Sequence, residues 1–539
     1  MSVQHEDAGD APSVPPALDL AAGARELIRG LHENPWGQVS PSVYETGRLV
    51  TLAPWLAGHR ERLRFLLASQ RSDGAWGALG GYSLVPTLSA TEGILSELRN
   101  RNSDIDDHIL RKAADHGLQA LTTLLEGVSS RSIPDMPAVE LISAHLTCLI
   151  NDHLAGPDGT SPGPPELRPA GFRLRVPGGW DESALEPLRA RLSEGRDVPE
   201  KLLHALEIAG PAAHRTGSTR PGSRTGGVGA SPAATAAWLG PLPPPPGDPA
   251  RRFLETVAEQ HGGPVPCGFP ITVFERSWVL TGLIRAGVPV RVPSALATSL
   301  AAEIGPAGTP AGEGLPADAD TTSVALHALT LLGSPMDPDC LLAFELDDRF
   351  CTWQGEQGAS VTTNAHVLDA LGEFVQRHPG ACHRYAPAMA KASNWLRAQQ
   401  HPDGSWTDRW HASPYYATSC AVQALRRFAG VAARDHVRRA ERWVMDTQRG
   451  DGSWGRWVGT AEETAEAMLV LTAADASETG AVRHPSHVQA IAQGRDWLLR
   501  APDWTDGPAL WHDKDLYLPK AIVRSTVLSA LHLARSRRR

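Results

Sequence analysis

Apolar residues along this chain fall into short runs of helical spacing, each opened by small or hydroxyl-bearing residues. "TTSVALHAL", "TTNAHVLDAL", "ATSCAVQAL", "TAEAMLVL" and "RSTVLSAL" carry the recurring leucines Leu329, Leu371, Leu425, Leu469 and Leu531. Their intervals of roughly 40 to 60 residues are those of helical-hairpin repeats. Small residues at the start and apolar residues behind predict inner helices packed closely at their N-terminal ends. "SPAATAAWLG" (Ser231 to Gly240) has the same character. Strand signals are sparse.

A second pattern punctuates the first. "QRSDGAWG" (Gln70 to Gly77), "QQHPDGSW" (Gln399 to Trp406) and "QRGDGSWG" (Gln448 to Gly455) each follow an amphipathic stretch. Asp-Gly supplies a turn in which glycine takes the left-handed conformation at the helix end. The glutamine and tryptophan are then placed to tie that turn to the next helix. The pattern predicts an all-α fold of helical hairpins closed into two α/α barrels. Proline- and glycine-rich stretches at 155–180 and 213–250 read as loops or linkers between helical units.

Composition narrows the function. At 539 residues the chain exceeds one compact core and suits two or three domains. A net charge of -9 argues against a general nucleic-acid binder, which needs a basic face. Six cysteines without a CxxC pair predict reduced thiols and a cytoplasmic setting. The acidic, proline-containing N-terminus has no signal pattern, and no run reaches the roughly 18 apolar residues of a membrane span. Residues 1–17 are expected to form a disordered tail, and the terminal "SRRR" to be solvated.

Two acidic strings open helices. "DIDD" (Asp104 to Asp107) begins an amphipathic, charged helix, where capping and the helix dipole suffice to explain it. "LPADADTTSVAL" (Leu315 to Leu326) places Asp318 and Asp320 before a helix without lysine or arginine. Two carboxylates so close, near a barrel interior, disfavour double ionisation, so the pair titrates as a unit and retains a proton near neutral pH. The helix N-terminus stabilises the conjugate base. A held, protonated carboxylic acid is suited to protonating a weak base.

The tryptophan repeats, the DxD string and the two barrels together resemble the class II terpene cyclases, particularly bacterial labdane-type diterpene cyclases of the copalyl diphosphate synthase kind. "SVYETGRLV" (Ser42 to Val50), "LLHALE" (Leu202 to Glu207), "FPITVFERSW" (Phe269 to Trp278), "SVTTNAHVL" (Ser360 to Leu368) and "DRWHASPYYATS" (Asp408 to Ser419) match family segments in order. The resemblance implies a β domain of residues 18–60 plus 265–539 and an inserted γ domain of 61–264. It implies no class I α domain, since no DDxxD with its partner string appears. The family's DxDD motif becomes DxDTT here. The resemblance assigns Asp320 as proton donor, Asp318 as its supporting carboxylate and Asn364 as the residue that holds it, with Thr321 replacing the motif's last aspartate.

The implied reaction is proton-initiated cyclisation of a linear prenyl diphosphate, geranylgeranyl diphosphate first, to a bicyclic diphosphate. The DxDTT variant also brings in farnesyl diphosphate, as in drimenyl-type cyclases. His204 is the candidate for deprotonation, with Cys267 where plant relatives have an asparagine. Trp278, Trp353, Trp410, Tyr415 and Tyr416 are candidates to stabilise cationic carbon through their ring faces. Mg²⁺ is expected with the diphosphate, its ligands unassigned, and a separate class I synthase is a possible downstream partner. A squalene-hopene-type cyclase shares the acid but takes a hydrocarbon. An α/α-barrel glycosidase fits poorly, because carboxylates two residues apart do not straddle a sugar at roughly 5 to 9.5 Å. A zinc prenyltransferase subunit lacks its ligand set, and a non-catalytic repeat scaffold needs no acid pair.

Overall fold

The computed structural model describes residues 19–127, 133–155, 172–175, 180–217, 219–473 and 484–536. The expected N-terminal tail, most of the 155–180 loop and the last three arginines lie outside the described residues. Helices dominate, as the periodicity predicts. The one named sheet among the described residues is a hairpin, Trp511–His512 against Leu516–Tyr517, antiparallel.

Six helices close into an inner ring. Thr272–Arg285, Ala319–Leu331, Val361–Arg377, Pro414–Phe428, Ala461–Ala473 and Lys520–Ser536 each pack on the next, and the last returns to the first. Five of these carry the hydroxyl-then-apolar strings. Ala319–Leu331 is buried along nearly its whole length, as an inner helix must be. Ser294–Ala302, Cys382–Ala398, Arg434–Asp446, Pro485–Arg500 and Leu20–Glu33 pack against the ring from outside. Arg434–Asp446 shows why: it buries only Val437, Ala440 and Val444, one stripe at helical spacing. This unit is an α/α barrel.

The smaller unit forms a second ring from Val43–Leu52, Leu84–Asn100, Val139–Ala155, the 3-10 segment Leu206–Ala213 and Pro232–Leu239. Val43–Leu52 and Leu84–Asn100 touch backbone to backbone. A Cβ at Gly47 would lie 2.7 Å from the Ser89 carbonyl oxygen, and one at Gly93 would lie 2.8 Å from that of Gly47. By these contacts Val43–Leu52 groups with the smaller unit, although it was expected within the first segment (18–60) of the larger one. Leu20–Glu33, by contrast, packs on Thr272–Arg285 and Lys520–Ser536.

The three tryptophan turns have one geometry. Gln70, Gln400 and Gln448 each donate to the carbonyl of the turn glycine (Gly74, Gly404, Gly452) and to one on a neighbouring helix (Ala113, His436, Ala490) at 2.8–3.1 Å. Trp76, Trp406 and Trp454 donate their indole N–H to Leu66, Leu396 and Val444 ten residues back. Each turn thus staples one outer helix to the next outer helix.

The hairpin turn holds the seam between the units. Asp515 caps Val43–Leu52, accepting from Ser42 Oγ and from the Val43 and Tyr44 N–H groups at 3.1–3.2 Å. Lys514, fully buried, pairs with Glu45 and with Glu207 (2.9 Å), and donates to Ser231 Oγ and the His204 carbonyl. Burial pulls the lysine pKa down, but Glu207 and Glu45 outweigh it and raise it.

Candidate active site

Asp318 is the N-cap of Ala319–Leu331, its Oδ1 accepting the Thr321 N–H at 2.6 Å. Burial pushes its carboxyl up to about 7 and the charge of Asp320 adds to this, against the Thr321 bond. Burial therefore favours the protonated form of Asp318 near neutrality. Thr321, at the place of the motif's last aspartate, is the residue whose backbone holds Asp318.

Asp320, two residues further on, accepts from His366 Nδ1 at 2.7 Å. The expected partner, Asn364, is elsewhere. Its Nδ2 donates to the carbonyls of Phe350 (3.0 Å) and Ser360 (2.9 Å), and its Oδ1 accepts the Phe350 N–H (2.9 Å). Both amide hydrogens are engaged, so Asn364 clamps the preceding loop and does not hold Asp320. In the string "TTNAH" it is the histidine two positions on, His366, that meets Asp320.

Asp318, Asp320 and Thr321 line a cavity to which Phe274, Trp353, Trp410, Trp511 and Tyr517 contribute aromatic rings. Trp353 and Trp410 meet edge to face at 5.1 Å. Trp278 and Tyr416 stand one layer behind: the indole N–H donates to the tyrosine oxygen at 2.8 Å, and the Trp278 ring packs edge-on against His366. Tyr415 departs from expectation, because its ring packs on Trp443 of an outer helix and it does not line the cavity. Cys267 is also set back, buried with Sγ toward the Asp515 carbonyl, and burial raises its thiol pKa.

His204 reaches this cavity, but not as a free base. Nδ1 lies 2.6 Å from the Gly229 carbonyl and Nε2 lies 2.6 Å from Asp513 Oδ1. A carbonyl only accepts, so Nδ1 carries hydrogen, and the Asp513 carboxylate takes a second from Nε2. Burial lowers the His204 pKa, yet Asp513 outweighs it and the net shift is upward. Asp513 is pulled down by the same pairing, against its own burial. His366, Asp513 and Trp511 are the site residues that sequence reasoning missed. The signal for the last two was "WHDKD" (Trp511 to Asp515), four polar residues behind a tryptophan in an apolar stretch.

A second cavity, of about 590 Å³, opens among the C-terminal halves of the inner helices and is lined by Arg285, Arg426 and Arg427 with His327 and Glu466. Each guanidinium is paired with a carboxylate, Arg285 with Asp369, Arg426 with Glu441 and Arg427 with Glu373, and Trp278, His366 and Tyr416 line this cavity too. "DIDD" is a surface cap: Asp106 accepts the His108 N–H at 2.8 Å, Asp104 pairs with Arg60 and Asp107 with Arg101. Among the described residues no three His, Cys, Asp or Glu side chains gather where they could hold a metal ion. No described helix is long and apolar enough to cross a membrane.

Two stacked α-helical units with an aspartate at a helix start, facing a cavity with aromatic rings at their seam, have the form of a class II terpene cyclase. Residues 357–516 match the family described as squalene-hopene cyclase C-terminal domain. The chain is 41% identical to the ent-copalyl diphosphate synthase of Streptomyces sp. (strain KO-3988), over 95% of this chain and 96% of that one. It is 42% identical to the copalyl diphosphate synthase of Streptomyces cyslabdanicus, over 96% of each. The solved ent-copalyl diphosphate synthase from Streptomyces platensis superposes with a TM-score of 0.90 at 42% identity, covering 96% of this chain and all of that one. The chain belongs to the labdane-type class II diterpene cyclases, the family of the copalyl diphosphate synthases.

Proposed function

We propose that the enzyme cyclises geranylgeranyl diphosphate to a bicyclic, copalyl-like diphosphate, with Asp320 as the proton donor and the diphosphate retained. The observation that carries this reading is the setting of Asp320: Oδ1 is held by His366, and Oδ2, without a partner among the described residues, is left for the proton on a cavity with aromatic rings. Asp320 gives that proton to the terminal alkene, the tertiary cation is captured by the next alkenes, and a base then removes a proton. The His366 hydrogen bond stabilises the carboxylate left behind. Aromatic faces attract cationic carbon without bonding to it.

Lys201, exposed on the cavity lining, is a cation available to the diphosphate, whereas the His204 cation is engaged with Asp513. Mg²⁺ enters with the substrate, which suits an ion commonly held by phosphate oxygens and one or two carboxylates. The C20 chain is favoured over farnesyl diphosphate by the names of the relatives, copalyl and labdadienyl diphosphate synthases. A product that keeps its diphosphate calls for a separate class I enzyme to ionise it. The working compartment is the cytoplasm, where prenyl diphosphates are soluble substrates.

The test is incubation with geranylgeranyl or farnesyl diphosphate, with and without Mg²⁺, then phosphatase and product analysis. A bicyclic C20 alcohol formed only with geranylgeranyl diphosphate is expected. No turnover of either substrate contradicts the proposal.

A further inference from the structure

The reaction must end by removing a proton from a carbon next to the cationic centre, and few groups on this cavity can take one. Asp320 has just become a carboxylate at the starting end. Asp318 is bound by Thr321 and buried. His204 has hydrogen on both ring nitrogens, one toward the Gly229 carbonyl and one toward Asp513. His512 gives its Nδ1–H to the Arg409 carbonyl at 2.6 Å, and its Nε2 faces the Tyr82 hydroxyl at 3.1 Å. Lys201 is a cation.

Asp513 differs from all of these. Its Oδ1 accepts twice at 2.6 Å, from His204 Nε2 and from the Lys514 N–H. Its Oδ2 has no hydrogen-bond partner among the described residues, and the residue lines the cavity. The space at Oδ2 is kept open by Gly268, where a Cβ would lie 2.5 Å from that oxygen. The hairpin that bears Asp513 also presents Trp511 and Tyr517 to the same cavity, and Lys514 anchors its turn to the smaller unit.

We propose that Asp513 Oδ2 is the proton acceptor that ends the cyclisation, and that His204 is the cation that holds this carboxylate in place. The proposal rests on Asp320 being the donor. Atoms balance without oxidant or reductant. The Asp320 O–H breaks as a C–H forms at the terminal alkene. At the end a C–H beside the cation breaks, its electron pair becomes the new alkene, and the proton passes to Oδ2. Asp513 then releases its proton to water and Asp320 takes one up.

The experiment compares wild type, Asp513→Asn and Gly268→Ala with geranylgeranyl diphosphate and Mg²⁺, measuring substrate consumed and the partition of products. Asp513→Asn preserves shape but removes the base, so consumption continues while the wild-type alkene falls at least ten-fold relative to water-captured, hydroxylated diphosphate or a shifted alkene. Gly268→Ala crowds Oδ2 and moves the partition the same way; it decides the matter if Asp513→Asn does not fold. An unchanged partition in a folded variant overturns the assignment. So does complete loss of consumption in a folded variant, because an acceptor acting after ring closure is not needed for the first protonation. If wild type itself consumes no geranylgeranyl diphosphate, it is the proposed function that fails.

Discussion

His366 Nδ1 donates to Asp320 Oδ1 across 2.7 Å, joining two adjacent helices of the inner ring at the acid itself. Removing that donor leaves the carboxylate without the bond that stabilises it after proton transfer. His366→Ala is expected to lower the rate of cyclisation by roughly 10² with a small change in KM. Steady-state kinetics check this; an unchanged kcat would remove His366 from the chemistry.

Asn364 lies two residues from His366 but serves the fold. Asn364→Ala strips partners from the Phe350 N–H and from two buried carbonyls. A loss of roughly 2–4 kcal/mol in unfolding free energy is expected. Chemical denaturation measures it, and the variant's residual activity at low temperature is expected to exceed that of His366→Ala.

The contrast between those two residues shows where the sequence was legible. The inner helices announce themselves through hydroxyl-then-apolar strings, because close packing at their starts demands small side chains. The Thr272–Arg285 helix carries Glu275, Arg276 and Arg285 and has no such string. Which of Asn364 and His366 faces Asp320 is a question of helix rotation: residues two apart point about 200° apart, and composition does not set the phase. Asp513 and His204 are 309 residues apart in the chain, and nothing local to either signals the other. The matched segments located the cavity; the partners across the seam required the fold.

Asp318 links the site to pH. Its carboxyl, pushed up to about 7 by burial, holds a proton in the folded state that the unfolded chain, near 4, has already lost. Between these values the native state binds more protons, so this group's contribution to stability falls as pH rises from about 4 to 7. Asp318→Asn removes the titration. The difference in melting temperature between variant and wild type is expected to shift in the variant's favour across that window. A difference that stays flat with pH contradicts the burial argument.

Lys514 is the charge at the centre of the seam. Lys514→Met leaves Glu45 and Glu207 buried without their cation, with an expected cost of roughly 3–5 kcal/mol. Lys514→Met with Glu45→Gln and Glu207→Gln removes the whole charge cluster and is expected to regain most of the loss. Unfolding curves of the two proteins, compared with wild type, decide whether the cluster is a coupled unit.

The most direct measurement is the consumption of geranylgeranyl diphosphate by folded Asp320→Asn, alongside Asp104→Ala and wild type. Asp320→Asn keeps the size and polarity of the side chain but has no acidic proton. It is expected to form no bicyclic diphosphate above the no-enzyme background, while Asp104→Ala matches wild type. Cyclisation by Asp320→Asn at a rate near wild type would contradict the assignment of Asp320 as the proton donor.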